Sequence, residues 1–91
     1  MANYFVGIEG VGGKIYFDET GFLFKSHSFN IQTGQMRINY KDIAKLGKWN
    51  SLVIVPNGLS VFTRDGIEHK FVIYHRNDVF EFLESKISEQ A

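Results

Sequence analysis

Ninety-one residues with ten basic and ten acidic side chains and no cysteine set the first limits. A chain this short buries only about 60–65% of its unfolded surface, enough for one small domain over residues 1–91. A formal charge of zero offers no general attraction to nucleic acid or to an anionic membrane, and the lack of thiols excludes disulfide staples, thiolate metal sites and a cysteine nucleophile.

The hydrophobic share of 44%, with nine phenylalanines, is that of a folding chain. The opening "MANYFVGIEG" has neither the basic start nor the continuous apolar run of a secretory leader. Nothing approaches the roughly 18 apolar residues of a membrane span. With cysteine absent as well, these features predict a cytoplasmic protein.

In chain order, a first strand is expected over 3–9, followed by "GIEGVGGKIYF" at 7–17. Four glycines ahead of a lysine suggest a phosphate loop, but the spacing is wrong. A P-loop would require glycine at Ile8 and Ser or Thr at Ile15, and a G-x-G-x-x-G starting at Gly10 would require glycine at Ile15. Both motifs also open a helix, whereas "KIYFDETGFLFK" is aromatic and β-branched and reads as strand. The glycines are therefore expected to shape a bend.

Strands are expected over 14–18, 22–26, 36–40, 43–48, 51–55, 59–64 and 67–74, with 43–55 open to reading as one bent strand or two. Ile15 and Phe17 alternate with Lys14, Tyr16 and Asp18; Val61 and Thr63 with Phe62 and Arg64; Phe71 and Ile73 with Lys70 and Val72. Turns are expected at "DETG" (18–21), with Gly21 left-handed, at "PNG" (56–58), with Gly58 at positive φ, and at "DG" (65–66). "SHSFNIQTGQ" (26–35) reads as an ordered loop anchored by Phe29 and Ile31.

The period then changes. "DVFEFLESKIS" (78–88) sets Val79, Leu83 and Ile87 on one helical line flanked by Phe80 and Phe82, with Asn77 as N-cap. The only large apolar surface available to that stripe is the β assembly, so the helix should cover one end of it.

Chemistry-bearing groups are sparse. His27, His69 and His75 lack ligand spacing, so no metal is expected. His69 should face outward between Glu68 and Lys70. Ser26-His27-Ser28 is no relay, because strand neighbours point to opposite faces. Asp18 with Glu19, and Asp65 with Glu68, lie in or beside turns where solvation should keep their pKa values ordinary, leaving no acid–base pair. No enzyme and no cofactor are expected. Trp49, between Lys48 and Asn50, is the one tryptophan and sits at an expected loop. Lys48 and Trp49 form a candidate contact point, weighed against a partly buried Trp49 lying over the sandwich edge.

The stretch "GGKIYFDETGFLFKSHSFNIQ" resembles the strand–turn–strand opening of the GRAM family, a member of the PH-like superfamily, and especially its short bacterial proteins, whose pattern runs G-G-K-L-Y-L-T-N-x-R-L-I-F-K-S-H-x-F-N-I-Q. "DIAKLGKWNSLVIVPNGLSVFTRDGIEHKFVIYHRNDVFEFL" is similar to the family's second half. The chain departs from the pattern at Asp18-Glu19-Thr20-Gly21, where the family has T-N-x-R, and at Trp49-Asn50, where it often has a basic residue before Asn. The resemblance implies a mainly β, PH-like sandwich or barrel of seven or eight antiparallel strands capped by one C-terminal α-helix. It implies a non-catalytic binding module working by protein contact or self-association, or alternatively a peripheral binder of anionic phospholipid. The phosphate-holding residues implied are Lys14, Lys25, His27, Arg37 and Arg64, set against Glu9, Asp18, Glu19 and Asp65.

Overall fold

The computed structural model describes residues 6–26, 35–51 and 55–90. Strands β1 (Val6–Gly10), β2 (Gly13–Phe17), β3 (Gly21–Ser26) and β4 (Gln35–Asn39) form one antiparallel sheet in that order. A 3-10 turn, Tyr40–Asp42, leads to β5 (Ile43–Ser51), β6 (Val55–Thr63) and β7 (Glu68–Val72), a second antiparallel sheet, and the chain closes with helix α1 (Arg76–Glu89). The sheets meet at a Gly10–Ile73 bridge. Among the described residues they form no closed barrel.

The expected alternation holds where it was clearest. Ile15 and Phe17 on β2, Phe22 on β3, Leu59 and Val61 on β6, and Phe71 on β7 are buried, while Lys14 and Tyr16 lie on the outer face. Each fully buried side chain of this size contributes about 1.5–3 kcal/mol. The rings of Phe17 and Phe22 stand 5.7 Å apart, and Phe82 reaches in from the helix to meet Phe17 edge-on at 5.2 Å. Val79 and Leu83 are buried in the same core, so the helical stripe packs against the sheets as its periodicity requires.

The glycine-rich stretch is a hairpin. Val11 and Gly12 turn between β1 and β2, Gly12 has φ 82°, and β2 follows directly where a phosphate loop would open a helix. Gly66 (φ 87°) lies in the β6–β7 hairpin as expected, but the loop is longer than a two-residue Asp-Gly turn. Thr63 N–H donates to the Ile67 carbonyl and Gly66 N–H to the Thr63 carbonyl, so Arg64, Asp65 and Gly66 make the connection.

Several expectations need correction. Pro56, Asn57 and Gly58 form no turn but lie within β6, where the register shift between the Trp49–Gly58 and Ser51–Val55 pairs leaves Pro56 and Asn57 without partners on β5. Gly58 and Gly21 have no positive φ. At Gly21 a Cβ would fall 2.3 Å from the Ile38 carbonyl oxygen, so close strand approach is what requires glycine there. The expected strands 43–48 and 51–55 become β5 and the start of β6, with 52–54 outside the described residues, and seven strands are described. The helix begins at Arg76, capped by His75 in the left-handed region (φ 57°), so Asn77 is not the N-cap. Most of the 26–35 loop, including Phe29 and Ile31, and residues 3–5 of the first expected strand also lie outside the described residues.

Candidate functional site

Backbone pairing identifies which strand edges remain open. The Thr63 N–H donates to the Ile67 carbonyl and the Ile73 N–H to Asn57, so the odd residues of β7 bond to β6. The N–H and C=O of Glu68 and Lys70 therefore point away from the sheet, and no described residue pairs with them. Farther along, Val11 N–H donates to Val72 O at 2.8 Å and Tyr74 N–H to Glu9 O at 3.0 Å, so the end of β1 covers that part of the edge. On β4, Tyr40 N–H donates to Thr20 O, which leaves Gln35 and Asn39 directing their main-chain groups outward.

Between β4 and β7 runs a trench. It widens to about 560 Å³ at the Arg64 end and to about 290 Å³ at the Val11 end, and both parts share Met36 and His69. Phe24, Met36 and Phe71 supply apolar walls, and the Phe24 and Phe71 rings lie 5.5 Å apart. His69 faces this trench half-buried rather than projecting outward as expected, because the odd residues of β7 share the inner face with Phe71.

The polar end of the trench gathers Thr63, Asp65 and His69. The Thr63 hydroxyl donates to Asp65 Oδ1 and, alternatively, to Ile67 O at 3.2 Å, and lies 3.4 Å from His69 Nε2. The hydrogen bond from Thr63 lowers the Asp65 pKa below the ordinary value expected for a solvated turn carboxylate. The Arg64 Nε is committed to the Lys41 carbonyl at 2.9 Å.

The implied phosphate-holding residues do not converge. Lys14 and Lys25 stand directly opposite one another on the outer face of the first sheet, with Lys14 Nζ 5.5 Å from the Tyr16 ring centre. Arg64 lies on the β6–β7 turn of the other sheet, and His27 lies outside the described residues. Arg37 is held in a fork by Asp18, Nη1 to Oδ2 at 2.8 Å and Nη2 to Oδ1 at 3.1 Å.

Asp18 is therefore not the solvated turn residue expected. It is 4% exposed, and its Oδ1 also accepts the N–H groups of Thr20 (3.0 Å) and Gly21 (2.9 Å). The Arg37 hydrogen bond first, reinforced by these backbone donors against the opposing effect of burial, holds its pKa at about 2. The Asp-x-Thr-Gly spelling of the turn carries a signal for this Asx arrangement. Arg37 as the partner is invisible until β3 and β4 are paired.

Trp49 belongs to β5 rather than to a loop and is half-buried, as its weighed alternative anticipated. Its ring lies across Gly58, where a Cβ would stand 2.3 Å from Trp49 Cδ2, and Lys70 Nζ lies 5.5 Å from the ring centre. Its Nε1 is buried with no described hydrogen-bond acceptor. Lys48 Nζ lies 4.5 Å from the Phe80 ring centre, on the helix side. Buried Arg76, which sequence reasoning missed, joins the helix start to this region through Nη1, donating to Gly58 O at 3.0 Å and Trp49 O at 3.3 Å. Met36 and His69 were also missed as trench residues; inward alternation from Ile38 and Phe71 carries that signal.

Among the described residues, no three His, Asp or Glu side chains are placed to hold a metal ion, and no helix is long and apolar enough to cross a membrane.

No family model and no curated protein matches the chain. Among solved structures it is similar to the C-terminal domain of an unknown protein from Leishmania infantum, at 17% identity and a TM-score of 0.75, over 96% of this chain and 85% of that one. At that identity the likeness bears on fold alone: a mainly β domain of two antiparallel sheets with a closing C-terminal helix.

Proposed function

We propose that the chain is a non-catalytic binding module with a PH-like fold of GRAM type, which acts in the cytoplasm through protein contact. The observation that carries this reading is the trench itself. Apolar walls lie beside a strand edge with outward-pointing main-chain groups, the combination by which an extended segment of another chain adds to a sheet. Main-chain bonding supplies affinity there, and the pocket around Met36 and Phe71 supplies side-chain selection.

The alternative, an anionic lipid surface, is favoured by one feature, the Lys14–Lys25 pair on the outer face of the first sheet. Two such lysines contribute about 2 kcal/mol at an anionic surface, against about 8 kcal/mol for micromolar affinity. Arg37 adds little, since Asp18 already neutralises it.

Panning a displayed peptide library against the full chain tests the choice. Protein contact predicts enriched extended sequences whose binding is lost in Met36→Arg and kept in Lys14→Ala/Lys25→Ala. The opposite result is no enriched peptide, together with sedimentation on phosphatidylserine vesicles that the lysine double variant abolishes. That outcome would assign the function to lipid.

A further inference from the structure

The open stretch of β7 has a sequence that suits a second copy of itself. Two antiparallel β7 strands can exchange hydrogen bonds only through the residues whose main-chain groups face outward, Glu68 and Lys70. Placed about a two-fold axis through His69, Glu68 of each copy falls opposite Lys70 of the other, so the main-chain bonding pairs are also opposite-charge pairs. Centring the pair on Lys70 instead would set lysine against lysine. Charge thus selects one register.

The surrounding side chains agree with this register. On the outer face, Glu68 Oε2 accepts the Ser60 hydroxyl at 2.6 Å, while Oε1 has no bond among the described residues and can take the partner's ammonium. On the inner face, the same register sets Ile67 of one copy opposite Phe71 of the other. Ile67 is 50% exposed in the single chain and Val11 is 73% exposed. Val11 lines the narrow end of the trench beside Phe71, where the partner's Ile67 arrives. Two of the large apolar side chains the fold leaves in water are thereby covered together.

We infer that the chain self-associates through a two-fold, antiparallel β7–β7 contact, which joins the three-stranded sheets of two copies into one and seats Ile67 of each in the other's trench. This rests on the protein-contact reading above and names its partner as a second copy. Because β1 blocks the edge beyond Val72, the paired stretch is short. The dimer belongs with small, weak interfaces, and its dissociation constant is expected at about 10–100 µM.

Sedimentation equilibrium of the full chain across that concentration range should show a mass rising from 10.5 kDa toward twice that value. Lys70→Glu and Glu68→Lys should each weaken the dimer by about tenfold or more, since each turns both cross-strand pairs into like charges. The double variant restores opposite charges in the same register and should recover the dimer. Because Glu68 also holds Ser60, thermal melts would accompany each variant. Lys70→Pro, which removes the outward N–H together with the ammonium, gives a second route to loss at an edge position that tolerates proline. A chain that stays monomeric at millimolar concentration overturns the inference while leaving peptide capture by the trench to its own test. So does a dimer indifferent to both single charge reversals.

Discussion

Asp18 and Arg37 form a two-pronged ion pair between the β2–β3 turn and the neighbouring strand β4, with the Asp18 side chain 6% exposed and that of Arg37 36%. The carboxylate also anchors the turn backbone at Thr20 and Gly21, so one buried charge fixes both the turn and the position of β4. Its pKa lies at about 2 against an ordinary 3.8. The folded-state value is depressed, so the associated stability is present above about pH 4 and is lost as pH falls toward 2. The difference corresponds to about 2 kcal/mol. Melting temperatures of the parent should fall steeply between pH 4 and pH 2, and those of Asp18→Asn should start lower and vary less over the same interval. Parallel curves for the two proteins would remove Asp18 as the cause.

Gly58 and Trp49 are matched in the opposite sense, by an absence of atoms. A methyl group at Gly58 would collide with the indole and with the Trp49 carbonyl oxygen at 2.5 Å. Gly58→Ala is expected to cost about 1–3 kcal/mol through overpacking. It should also change the emission of the single tryptophan, because the ring must lift from its seat. In a Trp49→Ala background the share of that cost due to the ring should disappear while the clash with the carbonyl oxygen stays, a non-additivity that urea unfolding followed by circular dichroism would measure. Equal costs in the two backgrounds would show that the ring does not rest on Gly58.

How legible all this was in the sequence follows from the range of the interactions. Local signals worked: the β2 alternation of Ile15 and Phe17, the Asp65-Gly66 hairpin and the stripe of Val79 and Leu83 depend only on neighbours in the chain. The expected Pro56-Asn57-Gly58 turn failed because local turn propensity yields to tertiary packing, here the Trp49 ring across Gly58 and the Ile73–Asn57 hydrogen bond. The Asp18 turn was located correctly and its chemistry misread, since burial and the guanidinium come from β4, nineteen residues away. The trench was invisible for a related reason. An open edge exists only once the order of strands in both sheets is known.

Leu83 tests the packing of the helix directly. It is 1% exposed and shares a core with Ile43 and Val61. Leu83→Ala should cost about 2–5 kcal/mol, which approaches the whole stability of many domains this small. Leu83→Asp puts an unpaired charge in the same place, and its unfolding should no longer be cooperative in a thermal melt. Glu84, one residue on, is exposed, so Glu84→Asp should melt with the parent. A Leu83→Asp melting curve that overlays the parent would mean the stripe is not buried.

Tyr40 extends the Asp18 anchor to the main chain. Its hydroxyl donates to the Asp18 carbonyl at 2.7 Å in a buried setting, and its ring stands 6.2 Å from Phe82 of the helix. Tyr40→Phe preserves the ring but leaves that carbonyl without its donor, for an expected loss of about 1–3 kcal/mol. Burial first, and then the Asp18 charge, push the Tyr40 phenol well above its ordinary value of 10. The unfolded chain therefore ionises this group before the folded one does. Stability from Tyr40 is complete below about pH 10 and declines as pH rises beyond it. Alkaline titration at the phenolate absorbance should show a step, that of Tyr40, withheld until the protein unfolds. In Tyr40→Phe that late step should vanish, whereas a late step that survives the substitution would assign it to another tyrosine.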